Sequence, residues 1–148
     1  MDCPECGAAE GACETRYHEC LVKEFEDPQY GAVHHLTVAA YMLQHSSKLT
    51  KEGWLYEREL LREFLVENKP PARIRKQDRD LVDSDRRKFK IASKDGRPKI
   101  ARRTWTKTVL DVRLDDGVVY CQDIKDWARA SLREAESASP EEARDNER

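Results

Sequence analysis

The first residues whose types and spacing could do chemistry are Cys3 and Cys6, in the sequence CPECG. Two thiolates separated by two residues can bind one Zn²⁺ ion from the same turn of the chain. Gly7 allows the backbone to turn sharply around the ion, and Pro4 stiffens the loop. The spacing is typical of half of a zinc knuckle. No second CxxC sequence follows, so the other two ligands must come from separate positions.

Helix geometry restricts the choice of the other two ligands. Cys13 and Cys20 fall on one predicted helix, seven residues apart, which separates them by about 10.5 Å along the axis. His34 and His45 fall on the next one, eleven residues and about 16 Å apart. One tetrahedral ion cannot be reached by both members of either pair. At most one of these cysteines and one of these histidines complete the site.

The expected pairing of the helices helps to choose between the candidates. A short turn near Asp27 predicts that the first two helices are antiparallel neighbours, with His34 level with Cys20 and His45 slightly beyond Cys13. Helical side chains lean towards the N-terminus of their helix, which brings Cys13 and His45 closer together. His34 stays open as the alternative fourth ligand. The predicted zinc ligands are Cys3, Cys6, Cys13 and His45.

The remaining cysteines and histidines have ordinary structural explanations. We interpret Cys20 and Cys121 as buried thiols, a common environment for free cysteine. We expect His18 and His35 to be surface or hydrogen-bonded histidines. Five cysteines with one close pair fit a reducing compartment, in which thiols bind metals and do not form disulfides.

The composition predicts a highly charged globular domain of 148 residues. Charged residues make up 38% of the chain, and the mean hydropathy is -0.88. We expect a single domain over residues 1–133 and an acidic, disordered tail over residues 134–148. The first residues do not show a basic patch followed by an apolar run, and no stretch approaches the roughly 18 apolar residues that a membrane span requires. We therefore expect a cytoplasmic protein without membrane association.

Apolar periodicity predicts a mainly α fold, a small helical domain whose zinc knuckle packs on a helical hairpin. One helix covers residues 13–26. Asp27 and Pro28 are suited to begin a second, which continues through VHHLTVAAYMLQH. Thr50 is suited to cap a third, which is ended by NKPP. A short basic helix from Pro71 leads into a charged, loop-rich middle. Residues 105–114 fit either a helix or a strand, and we favour a helix. A final amphipathic helix covers residues 120–132.

Several of these segments together resemble a known family. The chain contains CPECGA, then Cys13, then EFEDPQYGAVHHLTVAAYMLQHSS, and later WTKTVLDVRL and YCQDIKDWA. It is identified by these segments as similar to small bacterial proteins of the domain of unknown function 5946. The resemblance extends from residue 3 to about residue 132. It implies a cysteine at Cys13 and histidines at His34 and His45 beside the knuckle, and it implies no particular activity.

The function that we favour from the sequence is a structural zinc site in an interaction or regulatory module with a protein partner. Thiolates neutralise the ion and fill its coordination shell. The first alternative is a metal-dependent enzyme, in which water takes the fourth position and the unused histidine or Glu24 acts as a base. No HExxH sequence or phosphate-binding glycine-rich loop accompanies the histidines.

The second alternative is nucleic-acid binding through a basic segment. Residues 73–107 contain 14 Lys or Arg against 5 Asp or Glu, a net charge of +9, in a chain whose overall net charge is -2. Such a segment can displace counterions from phosphates, although a solvated charged surface is the commoner explanation. The candidate nucleic-acid contacts are Arg73, Arg75, Lys76, Arg79, Arg86, Arg87 and Lys88.

Overall fold

The computed structural model describes residues 2–73, 91–101 and 104–138. These ranges are mainly helical and contain no strand, which confirms the predicted fold class; two isolated bridges pair Asp2 with Ala9 and Leu49 with Ala92. The described helices are α1 (Ala12–Glu26), α2 (Pro28–Gly31), α3 (His34–Gln44), α4 (Lys51–Leu65) and α5 (Gly117–Glu136). Single 3₁₀ turns occur at Ser46–Lys48 and Val109–Asp111.

The central helix is α3, which packs against both α4 and α5. Its apolar stripe includes Ala40 and Leu43, both without solvent exposure. The indoles of Trp54 from α4 and Trp127 from α5 are also fully buried, and Trp54 Nε1 donates a hydrogen bond to the Leu43 carbonyl oxygen at 3.1 Å. The amphipathic faces predicted for the third and final helices therefore meet on α3.

The predicted second helix is wrong as one continuous element, because the chain breaks at Ala32 and Val33 between α2 and α3. The predicted start is present: Pro28 occupies the first turn, and the Asp27 side chain accepts a hydrogen bond from the Gln29 backbone N–H at 2.9 Å. A Cβ atom on Gly31 would lie 2.7 Å from the Glu24 carbonyl oxygen. Glycine at this position therefore allows α2 to approach α1 closely just before the break.

Two contacts fix the start of α4: the N-cap of the helix, and the segment around Ile91 that crosses it. The Thr50 hydroxyl accepts a hydrogen bond from the Gly53 N–H at 2.9 Å, as predicted for an N-cap. The Thr50 N–H donates to the Ile91 carbonyl oxygen at 2.9 Å. Ile91 passes so close that a Cβ atom on Gly53 would lie 2.3 Å from that same oxygen. Glycine is therefore required for the crossing, although it weakens a helix.

The helix that we favoured for residues 105–114 is also wrong. The structure has a single 3₁₀ turn at Val109–Asp111 with extended residues on either side. The side chains of Thr108 and Asp111 form a reciprocal capping box that closes this turn locally. Val109 and Val112 are both buried, and the Val112 carbonyl oxygen accepts a hydrogen bond from Arg16 Nη1 at 2.7 Å. In this segment, contacts with α1 such as the Arg16 hydrogen bond take the place of the backbone hydrogen bonds that a helix would make.

The C-terminal helix α5 extends to Glu136, three residues into the segment predicted as an acidic tail. Ala135 and Ala138 are buried, and Arg58 Nη1 donates hydrogen bonds to their carbonyl oxygens at 3.4 and 3.0 Å. Residues 139–148 lie outside the described residues, as does most of the predicted short basic helix. Within the ranges that the structure describes, no helix is long and apolar enough to cross a membrane.

Candidate metal centre

The N-terminal loop holds Cys3 and Cys6 in a tight turn. The Cys3 N–H donates to the Ala8 carbonyl oxygen at 2.5 Å, and the Gly7 N–H donates to the Cys3 carbonyl oxygen at 3.0 Å. Gly7 has a φ of 86°, in the left-handed region that favours glycine. The Ala8 N–H is 3.5 Å from Cys6 Sγ and donates to it. The backbone thus places both sulfurs on one side of the loop.

Two further donors reach this loop from helix termini. Cys13 lies in the first turn of α1, and His45 is the first residue after α3. The three sulfurs and one nitrogen of Cys3, Cys6, Cys13 and His45 all lie within 4.8 Å of one another. A tetrahedral ion with Zn–S bonds of about 2.3 Å holds its sulfurs about 3.8 Å apart. The four residues could therefore hold a metal ion.

The two ring nitrogens of His45 have different environments. Nδ1 is 2.8 Å from the Tyr41 carbonyl oxygen, so Nδ1 carries the proton and donates it. Nε2 is buried and has no hydrogen-bond partner within the described part of the chain. An unpaired buried acceptor costs free energy, and a metal-bound histidine commonly donates its other N–H to a carbonyl. The ring is therefore arranged to offer Nε2 to a ligand.

Aromatic stacking fixes the plane of the His45 ring. The ring of Tyr41 stacks on His45 with centroids 4.0 Å apart, and Tyr17 stacks on the other side of Tyr41 at 3.7 Å. Tyr17 belongs to α1 and Tyr41 to α3, so the stack also joins the two helices that supply Cys13 and His45. The imidazole is held before any ion arrives.

Glu5, between the two cysteines of the loop, anchors it to the rest of the protein. Its carboxylate accepts hydrogen bonds from the Ser47 N–H at 2.9 Å and the Ser47 hydroxyl at 2.5 Å. Its backbone carbonyl accepts one from Trp105 Nε1 at 3.1 Å. These contacts connect the loop to the turn that follows His45 and to the chain near residue 105.

The protonation of the four side chains is shaped by burial and by each other. Burial raises the pKa of the Cys6 and Cys13 thiols, and repulsion from the neighbouring sulfurs adds to the effect. Burial acts in the same direction on Cys3, but backbone hydrogen bonds from Cys6 and Glu5 outweigh it and lower that pKa. Burial lowers the pKa of His45. Neutral imidazole and thiolates are the metal-binding forms, so a bound cation would displace thiol protons.

The alternative fourth ligand, His34, lies at the other end of α3. Its Nδ1 is 2.7 Å from Glu24 Oε1, and it is not in the cluster. Cys20 is fully buried, as predicted, whereas Cys121 is half-buried. His18 is exposed, and the half-buried His35 contacts the Phe64 ring edge-on at 4.5 Å.

Of the predicted nucleic-acid contacts, the structure describes Arg73, which is exposed. The others, which therefore cannot be placed, are Arg75, Lys76, Arg79, Arg86, Arg87 and Lys88. The structure also shows roles that the sequence did not reveal. Glu5 could have been noticed as an acidic residue inside the knuckle, but its partner Ser47 is 42 positions away.

The chain matches a known protein-family model. The family model described as "Family of unknown function (DUF5946)" matches residues 1–136. These residues include the whole donor cluster and all five helices described above. No match was found among curated proteins or solved structures.

Proposed function

We propose that this protein, which belongs to the family of unknown function DUF5946, binds one structural zinc ion and works as an interaction or regulatory module in the cytoplasm. The ligands are Cys3, Cys6, Cys13 and His45. Two observations carry the proposal: one ring nitrogen of His45 and three sulfurs lie within 4.8 Å of one another, and His45 Nε2 is buried without a hydrogen-bond partner in the described chain.

The donor types favour zinc over the common hard cations. Three sulfurs and one imidazole nitrogen form a Cys₃His set, which is a standard ligand set of structural zinc sites. Mg²⁺ and Ca²⁺ prefer carboxylate and carbonyl oxygens, whereas thiolates select softer metals. Five free cysteines also fit a reducing compartment, where the thiols stay available.

Burial and donor number favour a structural role over a catalytic one. A catalytic zinc ion usually has three protein ligands and an open position for water. Here four donors fill a tetrahedral shell, and their residues are between 3% and 8% exposed. A substrate would have no direct approach to the ion. This counts against the metal-enzyme alternative.

The ion would join segments that are not connected to one another by regular secondary structure. The loop at residues 2–9 contains no helix and has one isolated bridge. Binding would connect this loop to the beginning of α1 and the end of α3. Since an unfolded chain has no preformed site, the free energy of metal binding contributes to folding.

A protein partner remains our proposal for the role of the module, in preference to nucleic acid. Val22 and Phe25 lie three residues apart on α1 and are 53% and 94% exposed, which places two large apolar side chains side by side on its surface. Arg73 alone of the predicted nucleic-acid contacts can be placed, and a solvated basic segment explains the composition equally well.

The decisive experiment measures bound metal and folding together. The protein is purified without added metal, its zinc content per chain is measured, and circular dichroism is followed while a chelator is added. Cys13→Ser and His45→Ala test the cluster, with Cys121→Ser and His34→Ala as matched controls. We expect one zinc per chain, loss of metal in the first pair alone, and loss of helicity on chelation. An apo protein that keeps its helicity would contradict the structural role.

A further inference from the structure

A second cluster of polar side chains surrounds Glu24, at the opposite end of α3 from His45. The Glu24 side chain is 1% exposed, and its oxygens accept three hydrogen bonds. Oε1 is 2.7 Å from His34 Nδ1, while Oε2 accepts from the Thr37 hydroxyl at 2.5 Å and from the Tyr120 hydroxyl. Among the described residues, no Lys or Arg pairs with it. A buried carboxylate is costly unless it is compensated, and three donors supply the compensation here.

The contact with Glu24 orients the His34 ring. Nδ1–H donates to the carboxylate, so Nε2 holds the lone pair whenever the imidazole is neutral. The His34 side chain is 58% exposed, in contrast to the buried group that holds it. A buried carboxylate that fixes the tautomer of an accessible histidine is the arrangement that enzymes use for proton transfer.

His34 lines a groove of about 310 Å³ between α3 and α4. Its polar lining consists of His34, His35, Tyr56 and Glu57. The described lining contains no Lys or Arg to attract an anion. A concave, largely apolar site with a few polar groups is typical of small-molecule binding. The apolar lining residues are Val38, Ala39, Leu60, Phe64, Pro71 and Ile91.

Glu57 adds a second carboxyl group with a different environment. Burial raises the pKa of Glu57 from its ordinary value of 4.5 to about 7. Its protonated form is therefore available near neutral pH. A carboxyl group with a pKa near neutral pH is a common component of sites of acid–base chemistry.

We propose that this groove is a second functional site, in which His34 removes a proton from an uncharged, mainly apolar small molecule and Glu24 orients the imidazole. His34 is the catalytic residue and Glu24 the positioning residue. The site does not use the metal: the two ends of α3 are about 16 Å apart. The rival explanation is that Glu24 only ties α1, α3 and α5 together. That explanation predicts no proton-transfer activity at His34.

The experiment uses 5-nitrobenzisoxazole as an uncharged apolar probe. A base removes the single proton on its isoxazole carbon, the N–O bond breaks, the C–N bond becomes a nitrile, and a coloured phenolate leaves. No oxidant or other reactant is needed. We expect the zinc-loaded wild-type protein to exceed the same molar concentration of free imidazole by about 10²-fold or more. His34→Ala should reduce the rate to background, and the matched control His18→Ala should retain it.

Glu24→Gln tests the positioning role through kcat and KM. Glutamine can still accept a hydrogen bond from Nδ1–H, but it lacks the negative charge that stabilises the imidazolium formed when His34 takes the proton. We expect kcat to fall while KM is unchanged, because Glu24 is not among the residues that line the groove. A purely structural Glu24 would leave both constants unchanged.

Two outcomes would overturn the proposal: a wild-type rate no greater than that of free imidazole, or an undiminished rate in His34→Ala. Because His34 is exposed, its variant should fold, and unchanged circular dichroism and zinc content will show that it does. If Glu24→Gln fails to fold, the His34→Ala comparison still decides whether the groove transfers protons. A normal zinc content with no activity would reject this site and leave the structural zinc proposal intact.

Discussion

The Nδ1 atom of His45 donates a hydrogen bond to the carbonyl oxygen of Tyr41, four residues earlier in the chain and 2.8 Å away. This bond leaves Nε2 as the His45 nitrogen without a hydrogen-bond partner among the described residues, and the ring offers one nitrogen within 4.8 Å of three sulfurs. The contact begins in the last turn of α3, so the end of that helix positions the only nitrogen donor in the described cluster.

Cobalt substitution should report this donor set directly. Tetrahedral Co²⁺ bound by thiolates has sulfur-to-metal charge-transfer bands and intense visible d–d bands. We expect both in the cobalt-loaded protein, with weaker charge transfer in Cys13→Ser and shifted d–d bands in His45→Ala. His34→Ala should give the wild-type spectrum. A spectrum typical of six-coordinate cobalt in the wild-type protein would show that the four residues do not close a tetrahedral shell.

Much of this cluster could be predicted because helix geometry is local. The CxxC spacing, the 1.5 Å rise per residue and the expected helix pairing selected Cys13 and favoured His45 over His34, and the structure places Cys13 and His45 together with Cys3 and Cys6. The prediction that His45 lies on a helix was wrong, because α3 ends at Gln44. The side chain still reaches the sulfurs, because one residue beyond the helix changes its position little along the axis.

Other features were not readable from the sequence because they depend on contacts between distant segments. Just before the break that precedes α3, a Cβ atom on Gly31 would lie 2.7 Å from the carbonyl oxygen of Glu24 on α1. The Glu24 carboxylate is bound by side chains that are 10, 13 and 96 residues away. Periodicity places each residue on a helix face, but it does not show which faces meet. Glu24 could be selected only as a candidate base, without its partners.

Glu5 should tune metal affinity without being a ligand. Glu5→Ala removes both hydrogen bonds from Ser47 and loosens the loop that carries Cys3 and Cys6. Loss of such supporting contacts typically weakens metal binding by about 10–100-fold. We expect an effect in the lower part of that range, measured by competition with a chromophoric chelator. Glu10→Ala, at an exposed position directly after this loop, is the matched control. Equal affinities for the two variants would contradict the anchoring role.

Gly53→Ala should destabilise the protein although alanine favours helices. The new Cβ atom would lie 2.3 Å from the Ile91 carbonyl oxygen, so the crossing chain must move. Overpacking of this kind costs about 1–3 kcal/mol, and chemical denaturation should show a lower free energy of unfolding. Glu52→Ala, at an exposed neighbouring position, should change that free energy by less than about 0.5 kcal/mol. Similar stabilities would mean that Ile91 does not cross α4 closely in solution.

Glu57 should make stability fall with rising pH. Its pKa is raised by burial to about 7 in the folded state, so between about pH 4.5 and 7 the folded protein binds more protons at this site than the unfolded chain. The slope of the unfolding free energy against pH is negative in that window. Glu57→Gln should remove this contribution, with a gain of at most about 3 kcal/mol above pH 7 that vanishes towards pH 4.5.

Urea denaturation of Glu57→Gln and the wild type across this pH range provides the measurement. Glu52→Gln, on the same helix and exposed, controls for loss of a charge on α4. A stability difference that is the same at pH 5 and pH 8 would mean that the ionisation of Glu57 is not responsible. It would also remove the support that Glu57 gives to acid–base chemistry in the groove.

The Glu24 network should show strong coupling between Tyr120 and Thr37, because both hydroxyls donate to the same buried oxygen. Tyr120→Phe removes a hydrogen bond to a charged acceptor, which costs about 1.5–3 kcal/mol. Tyr30→Phe is the matched control: its hydroxyl donates to the neutral Leu114 carbonyl oxygen at 2.9 Å, and the loss should be about 1 kcal/mol. Thr37→Val should lower the unfolding free energy by an amount comparable to that of Tyr120→Phe.

The double variant Tyr120→Phe with Thr37→Val leaves Oε2 of Glu24 buried without a hydroxyl donor, so its loss of unfolding free energy should exceed the sum of the single losses. Urea denaturation provides the measurement. If the losses are additive, water or a structural shift replaces each missing donor. Glu24 would then be held less firmly against His34 than its three hydrogen bonds indicate.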